Sequence, residues 1–310
     1  MLDLETMRSF IQVADTKSFS KAAHILHKTS ATISYRIKVL EETIGTPLFI
    51  RTTRTVKLTA AGEHLLNQCK EWIIWLEQMP DELRQINDGV ERDIKITINN
   101  LLYTEQAATK LLLFLNQAFP FTRFHLSRQV FMGVWDQMMY ENYHLAIGTP
   151  SSESLSNDIS VLPLGSISWL FIVAKKHPLT KLKGVISEDI LRQYPAINTE
   201  DTARNLHKRT AWLLKGQKEI KVPNMKTKLA CHLNGLGIGF LPKHICRSYL
   251  ESGDLVELQV LNRRAPSPMS LAWNTVTMGK TVEKIVELFQ TNNELIQGFL
   301  ANIDIPASQA

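Results

Sequence analysis

The chain has 310 residues, 44% of them hydrophobic and 21% charged, which is the composition of an ordinary globular protein of two or more domains. No stretch approaches the ~18 consecutive apolar residues that a membrane span needs, and the acidic start MLDLETMRSF does not resemble a secretory signal. Three separated cysteines without a CxxC pair exclude a disulfide framework and a cysteine zinc site, and they fit a reducing cytoplasm.

The net charge of +5 is concentrated near the N-terminus. Residues 1–62 hold nine lysines and arginines against five acidic residues, so +4 of the +5 lies in this first fifth of the chain. A positive block on a nearly neutral body is typical of a protein that binds a polyanion. A solvated basic surface would give the same count, so charge alone leaves both interpretations open.

Three short helices are predicted at the start of the chain. Thr16-Lys17 ends the first helix, Ser18 or Ser20 can cap the second, and Ser30 is a good N-cap for the third. Apolar residues at helical spacing form one buried stripe on each helix: Met7, Phe10, Ile11 and Ala14, then Phe19, Ala22, Ala23 and Leu26, then Ile33, Ile37 and Leu40.

The third helix exposes small polar and basic residues on the side opposite its stripe, namely Ala31, Ser34, Tyr35 and Lys38. Two short helices joined by a tight turn, the second with such a face, are the helix-turn-helix arrangement. Residues near the start of a recognition helix must allow close approach or bond to base edges. Ser30, Ser34, Tyr35 and Arg36 suit that role, and Lys38 suits a phosphate. Tyr35 packed on a neighbouring loop and Lys38 in solvent are the alternatives.

A basic hairpin is predicted next. Leu48-Phe49-Ile50 and the segment with Val56 and Leu58 are β-like, and Arg51-Thr52-Thr53-Arg54 lies between them. Such a wing can place Arg51 and Arg54 against the sugar-phosphate backbone or in the minor groove. Thr59 then caps another helix.

Two sequence segments resemble the winged helix-turn-helix of LysR-type transcriptional regulators, namely SFSKAAHILHKTSATISYRIKVLEE and PLFIRTTRTVKLTAAG. Two departures lie on the groove side: Ala31 stands where the family very often has proline, and Tyr35 where it commonly has arginine. The resemblance implies promoter DNA, a small-molecule effector, RNA polymerase and further copies of the chain as partners, in a dimer of dimers without cofactor. The candidate DNA-binding residues are Ser30, Thr32, Ser34, Tyr35, Arg36, Lys38, Arg51 and Arg54.

A long linker helix is predicted for residues 59–90, with an interruption near Met79 because Pro80 should kink or break it. Its apolar residues alternate in steps of four and three, a narrow seam that suits pairing with another helix. Packing on the chain's own body is the alternative. The resemblance implies pairing with a twin helix. The candidate dimerisation residues are Leu65, Cys69, Trp72, Leu76 and Met79, with Cys69 as an apolar filler.

Residues 91–305 alternate strand and helix, which predicts an open, largely parallel sheet covered by helices. A late apolar strand at residues 267–274 allows a chain that crosses twice between two subdomains, residues 91–162 with 267–300 and residues 163–266. The resemblance implies the LysR effector domain, similar to periplasmic solute-binding proteins. The fold class is thus α/β: an N-terminal winged helix-turn-helix (1–62), a linker helix, and a two-subdomain periplasmic-binding-protein-like effector domain.

Small ligands in such sheets lie beyond the carboxyl ends of the strands, where helix N-termini offer free N–H groups. Three polar or aromatic stretches should converge there, beginning at Asn99, Phe131 and Asn198. Thr199 and Asp201 could equally cap a helix without any ligand. The candidate effector-binding residues are Asn99, Asn100, Leu101, Tyr103, Phe131, Trp135, Thr199, Asp201, Arg204 and Gly237.

Nothing in the sequence indicates catalysis or a metal site. Gly235, Gly237 and Gly239 follow a helix and so do not form the dinucleotide fingerprint, and no GxSxG, HExxH or phosphate loop occurs. INNLLY, GVWDQMMYENYHLAIG and AINTEDTARNLHKRTAWLLKGQKEI resemble the LysR-type activators of allantoin utilisation, which implies allantoin or a related metabolite as effector. LysR-type regulators of purine nucleoside uptake are the alternative, and a solute-binding protein or a ureide-processing enzyme are remote ones.

Overall fold

The structure, a computed structural model, describes residues 2–52, 55–151 and 153–304. The chain forms two compact units, residues 1–87 and 88–310, here called the head and the rear unit. No helix within the described ranges is long and apolar enough to cross a bilayer.

The head contains the predicted helices and hairpin. Phe10, Ile33, Ile37 and Leu40 are fully or almost fully buried, and Ala22 is also at 0% exposure, because only a small side chain lets α2 approach its neighbours so closely. The elements are α1 (Leu4–Thr16), α2 (Phe19–Ile25), α3 (Ser30–Ile44), β1 (Phe49–Arg51), β2 (Val56–Leu58) and α4 (Ala60–Asn87).

Short polar side chains fix the start of each of the first three helices. Asp3 accepts a bond from the Thr6 amide at 2.7 Å, and Ser18 accepts one from Lys21 at 3.3 Å. The predicted cap of α3 was wrong by one residue. Thr29 has extended backbone and its Oγ1 accepts from the Thr32 amide at 3.1 Å, whereas Ser30 is already the first helical residue.

The linker helix α4 is continuous through Pro80. Of the kink or break predicted there, the break is therefore wrong. A proline removes one hydrogen-bond donor and costs a helix roughly 3 kcal/mol, but the rest of the ladder can continue on either side. The Arg84 side chain also donates to the Pro80 carbonyl at 3.3 Å.

The first turns of α4 pack inside the head. Cys69 is fully buried in the head core, and Leu65 packs against that core, so these two predicted dimerisation residues contact their own domain. Burial raises the pKa of the Cys69 thiol to about 11. The alternative of a helix packed on its own body is therefore correct for this half of α4.

The rear unit contains ten strands and seven helices among the described residues. The strands are β3 (Asp93–Asn99), β4 (Arg123–Gln129), β5 (Leu145–Thr149), β6 (Ile159–Ile167), β7 (Trp169–Ala174), β8 (Ala196–Thr199), β9 (Glu219–Val222), β10 (Gly239–Pro242), β11 (Leu255–Glu257) and β12 (Ser267–Asn274). The helices are α5 (Glu105–Ala118), α6 (Gly133–Tyr140), α7 (Glu188–Leu191), α8 (Met225–Leu233), α9 (Lys243–Glu251), α10 (Lys280–Gln290) and α11 (Gln297–Leu300).

The larger sheet has the order β4-β3-β5-β12-β6. β3 is parallel to β4 and β5, as βα units require, and β12 is antiparallel to both β5 and β6. The late strand thus returns to the first sheet, as its sequence predicted. Ile94, Ile96 and Ile98 on one face of β3 and Thr97 and Asn99 on the other are buried, so both faces of this strand are covered.

The second half of the rear unit departs from the predicted parallel sheet. β7 pairs antiparallel with both β10 and β11, and β8 pairs in parallel with β9. The prediction also missed β6, β11 and α9, together with short 3-10 turns at Pro178–Lys181 and Glu294–Ile296. Short strands paired between distant segments leave little periodicity in the sequence.

Replacement of Cys69 by serine tests whether this residue is a core residue of the head. We expect Cys69→Ser to lower the unfolding free energy by roughly 1–3 kcal/mol, because a hydroxyl would be buried without a partner. Cys231→Ser, at a half-buried position of the rear unit, is the control. Denaturant unfolding at several protein concentrations is the measurement. A loss that grows on dilution would instead place Cys69 in a contact between subunits.

Candidate nucleic-acid interface and ligand cleft

The outer face of α3 presents the predicted base-reading residues to solvent. Ser30 and Lys38 are exposed, Ser34 is half-buried, and Tyr35 is 69% exposed, so it does not pack on a neighbouring loop. Thr32 serves the cap instead, since its Oγ1 lies 2.8 Å from the Thr29 hydroxyl. This face offers hydroxyl groups near the start of the helix and a cation in its middle, which fits approach to a groove.

Arg36 is held by acids of the first helix. Its Nη2 donates to Glu5 at 2.6 Å and its Nη1 lies 3.8 Å from Asp3. Lys28 also pairs with Glu5, at 3.1 Å. A hydrogen bond from the Thr6 amide, with smaller help from Arg36, lowers the pKa of Asp3. Arg36 therefore fixes α3 against α1, a role the sequence did not reveal.

Arg51 anchors the hairpin rather than standing free. Its Nη2 donates to Glu41 Oε2 at 2.9 Å, and its guanidinium lies 4.5 Å from the centre of the Phe19 ring. Glu41 Oε1 accepts the amides of Leu48 and Phe49, at 2.8 and 3.1 Å. Glu41 thereby fixes the start of the wing to α3, and sequence reasoning missed it. Arg54 lies outside the described residues.

The distal half of α4 carries an exposed apolar stripe. Trp72 and Leu76, both predicted for dimerisation, are 39% and 37% exposed, and Met79 is half-buried. Trp75, Leu83 and Ile86 extend the same half of the helix with large apolar side chains in solvent. Together they leave an apolar surface that the head's own core does not cover.

In the rear unit, a cleft of about 240 Å³ forms at the carboxyl ends of the first strands and the two chain crossings. Three predicted residues, Asn99, Leu101 and Phe131, line it. Phe131 has φ +49°, a left-handed conformation uncommon for a bulky residue and typical of constrained sites. The other lining residues are Pro150, Trp169, Arg209, Thr210, Ala211, Arg264, Pro266, Ser267, Pro268 and Met269.

The seven other candidates do not line this cleft. Trp135 is a core residue at 1% exposure, and a Cβ at Gly237 would lie 2.4 Å from the Pro195 carbonyl oxygen, so the glycine allows close packing. Thr199 is buried at the end of β8, with no helix after it. Tyr103 lies under the Arg128 guanidinium at 5.3 Å, and Asn100 donates its amide to the Gln129 carbonyl.

Asp201 and Arg204 belong to a segment, residues 200–209, that packs along α6. Asp201 accepts the amides of Met132 and Gly133, each at 3.2 Å, and that of Arg209 at 2.7 Å. It thus caps α6 from a distant part of the chain. Arg204 is exposed and lies 3.8 Å from Glu141, so it lies on the outer side of this segment.

A second carboxylate fixes the same segment. Asp136 of α6 accepts the amides of Arg204, Asn205 and Leu206 at 2.9 to 3.1 Å. Burial alone would raise the pKa of Asp136, but these hydrogen bonds outweigh it and lower the pKa. The segment that brings Arg209 to the cleft is therefore held in its middle by Asp136 and at its start and end by bonds to Asp201.

The cleft is basic. The Arg264 guanidinium lies 3.4 Å from the centre of the Trp169 ring, and burial lowers its pKa to about 10. Behind the cleft, Lys228 is almost fully buried, and burial followed by repulsion from Arg264 lowers its pKa to about 7. Sequence reasoning missed Arg209 and Arg264. The sequence signal that could have indicated them is the presence of arginines beside the predicted chain crossings between the subdomains.

The two units match two parts of one family. Residues 4–63 match the model described as "Bacterial regulatory helix-turn-helix protein, lysR family", and residues 88–293 match "LysR substrate binding domain". The chain belongs to the LysR family.

This LysR-type chain is similar to named regulators along nearly its whole length. It is 56% identical over 301 residues to the HTH-type transcriptional activator AllS of Salmonella typhimurium, covering 97% of this chain and 98% of that protein. It is 32% identical to the HTH-type transcriptional regulator PunR of Escherichia coli, over 93% of each. An OxyR mutant of Corynebacterium glutamicum shares the fold, with a TM-score of 0.58 at 18% identity over 96% of this chain and 94% of that one. The chain is thus a LysR-type transcriptional regulator.

Glu41 offers a first test of this LysR-type head. Glu41→Ala removes the acceptor of two hairpin amides and the partner of Arg51, so we expect the unfolding free energy to fall by roughly 1–3 kcal/mol. Glu42→Ala, whose carboxylate lies 3.7 Å from exposed Lys38, should change it by less than about 0.5 kcal/mol. Denaturant unfolding and amide exchange at Leu48 and Phe49 are the measurements. Equal effects of the two variants would contradict the role of Glu41.

Lys228 gives a prediction about pH. Its pKa is about 7 in the folded chain and about 10.4 when unfolded, so the unfolded state binds more protons between these values and stability rises with pH across them. Lys228→Met should remove this rise and raise the unfolding free energy by roughly 1–4 kcal/mol below pH 7, and less near pH 10.

Lys226→Met, on the exposed side of the same helix, is the control and should shift the unfolding free energy by less than about 0.5 kcal/mol. Urea unfolding at pH 6, 8 and 10 measures all three chains. An Lys228→Met gain that does not vary with pH would contradict the prediction.

Proposed function

We propose that this LysR-type chain activates genes for the use of allantoin as a nitrogen source under anaerobic conditions. The observation that carries the proposal is the 56% identity with activators named AllS over 97% of the chain. The geometry supports the same function, because the polar face of α3 and the cleft of the rear unit provide one surface for DNA and one for a metabolite. The chain would act in the cytoplasm and not as an enzyme.

The DNA surface consists of α3 and the wing. Ser30, Ser34 and Tyr35 would contact base edges, and Lys38 would contact a phosphate. Arg36 and Arg51 would hold this surface in shape through Glu5 and Glu41, and any phosphate contact by Arg51 would have to compete with Glu41. Arg54 remains a proposed backbone contact from the sequence.

The regulator would work as an oligomer. The exposed stripe of Trp72, Trp75, Leu76, Leu83 and Ile86 supports pairing of α4 with its twin. Two such pairs would form the dimer of dimers that the family resemblance implies. Allantoin or a related metabolite would bind in the cleft between the two subdomains, the first formed by residues 91–162 and 267–300 and the second by residues 163–266. Its binding would change how bound DNA is presented to RNA polymerase.

Regulation of purine nucleoside uptake is the second candidate, supported by the 32% identity with PunR. Gel-shift assays with promoter fragments of both gene sets decide between them. We expect the fragment from allantoin-utilisation genes to bind at least tenfold more tightly than the purine fragment or unrelated DNA, within the usual range of specificity ratios. Preference for the purine fragment would support the second candidate, and no preference at low ionic strength would contradict both.

Tyr35 provides the matched mutational test of the DNA surface. Tyr35→Ala should weaken binding to the preferred fragment by roughly 5- to 100-fold, the cost of one lost base contact, and should affect unrelated DNA much less. Tyr140→Ala, at another exposed tyrosine in the rear unit, is the control and should leave both affinities unchanged. An equal loss on both kinds of DNA would show that Tyr35 does not read sequence.

A further inference from the structure

The cleft brings together cations that the rest of the rear unit does not neutralise. Arg264 and Arg209 both line it, and Lys228 lies close enough behind Arg264 for the two charges to repel. The described residues include no acid in an ion pair with Arg264, Lys228 or Arg209. Asp136 and Asp201, which fix the segment that carries Arg209, already accept backbone amides.

One guanidinium nitrogen of Arg264, Nη1, also lacks a hydrogen-bond acceptor. This nitrogen is shielded from solvent and has no partner. A buried cationic donor without a partner is costly, and folded proteins pair such groups or use them to hold a ligand. Two partly or fully buried cations without an acid indicate that the missing partner is an anion from outside the chain.

The Arg264 guanidinium is held in a fixed plane. It lies 3.4 Å from the centre of the indole of Trp169, whose Nε1 donates to Ser267 Oγ at 2.9 Å. A stacked guanidinium keeps its edge for two parallel hydrogen bonds, the geometry that matches a carboxylate. Ser267 accepts from the indole, so its own hydroxyl hydrogen is free to donate within the cleft.

The rest of the cleft limits the ligand's size and shape. Its volume of about 240 Å³ is below the ~300–1,000 Å³ typical of sites for drug-sized ligands. Leu101, Phe131 and Met269 give it an apolar wall, and Thr210 adds a hydroxyl. The site therefore fits a small molecule with an anionic end and a short polar body.

We propose that the effector is a small carboxylate, with its carboxylate group held by Arg264 and Arg209 and oriented by Ser267. This inference rests on the proposed function, since it takes the cleft as the effector site. It selects among related metabolites, because neutral allantoin lacks the group that the two arginines bind, whereas ring-opened allantoate and glyoxylate carry it.

Arg209 connects this site to α6. Its backbone amide donates to Asp201, which also accepts the amides of Met132 and Gly133 at the start of α6. Phe131, next to that start, lines the cleft from the other side. A ligand carboxylate that draws Arg209 inward would therefore act on the side chain of Asp201, which caps α6.

The test is calorimetric titration of the full-length protein with allantoin, allantoate and glyoxylate, with acetate as the probe for simple anion binding. We expect allantoate or glyoxylate to bind at least tenfold more tightly than allantoin and acetate. Arg264→Gln should weaken that binding by roughly 10- to 100-fold, and Arg209→Gln should weaken it less. Arg263→Gln, at the exposed neighbouring arginine, should stay within twofold.

Two further readouts separate binding from folding. The melting temperature of ligand-free Arg264→Gln should equal or exceed that of the parent chain, because an unpartnered buried cation is removed. Arg264→Lys keeps the charge but loses the planar fork, so it should bind the carboxylate with an affinity between the parent chain and Arg264→Gln. Promoter affinity without metabolite should be the same in all variants.

Tightest binding of allantoin, unaffected by Arg264→Gln, would overturn the carboxylate inference and leave the proposed function standing. The inference is also overturned if neither allantoate nor glyoxylate binds, or if acetate binds as well as they do. Failure of the proposed function is a different result, namely loss of preference for promoter fragments of allantoin-utilisation genes in the parent chain.

Discussion

The structure depends on carboxylates that accept several backbone amides at places where secondary structure ends. Loops and helix starts leave N–H groups without partners, and a carboxylate, which only accepts, can satisfy several at once. Glu41 does this at the wing, and Asp201 and Asp136 do it along α6. Glu91 does it for Gly279, Thr281 and Val282 at the start of α10. Asp201, Asp136 and Glu91 thereby join segments far apart in sequence, whereas Glu41 acts over seven or eight positions.

This use of acids decides which cations are available for function. In the head, Arg36, Lys28 and Arg51 are paired with Glu5 or Glu41, so much of the N-terminal positive charge shapes the domain. The exposed face of α3 then carries mainly hydroxyl groups, a chemistry that suits the reading of bases at short range. In the rear unit Asp136 and Asp201 are engaged with backbone amides, and no ion pair within the described residues joins an acid to Arg209 or Arg264. The basic residues thus have two physical roles: those paired with acids stabilise the head, and those in the cleft remain available for a ligand.

The elements that could be predicted from the sequence are those whose apolar residues recur at helical or strand spacing. The start and buried stripe of α3 follow from apolar residues three or four apart, and β12 follows from a late apolar segment; both were predicted to within a residue. The sequence could not predict which apolar residue meets which surface: Cys69 and Trp135 lie on predicted functional faces but are buried in cores of their own units. Gly237 is required by the Pro195 carbonyl, which lies 42 positions earlier. Arg264 lines the cleft because the chain returns there from β11 of one sheet to β12 of the other.

The cleft also explains why a ligand could change the protein's state. A ligand shifts a conformational equilibrium only by the difference in its affinity for the two states. An anion would relieve the repulsion between Arg264 and Lys228 only in a conformation that places the anion beside the Arg264 guanidinium stacked on Trp169. It would bind weakly in any conformation that exposes the arginines to solvent. Arg209 reaches the cleft on a segment fixed by Asp201 and Asp136, so its movement strains or relaxes bonds at the start of α6. Unpaired buried charge and a fixed segment together give an anion the differential affinity that a switch requires.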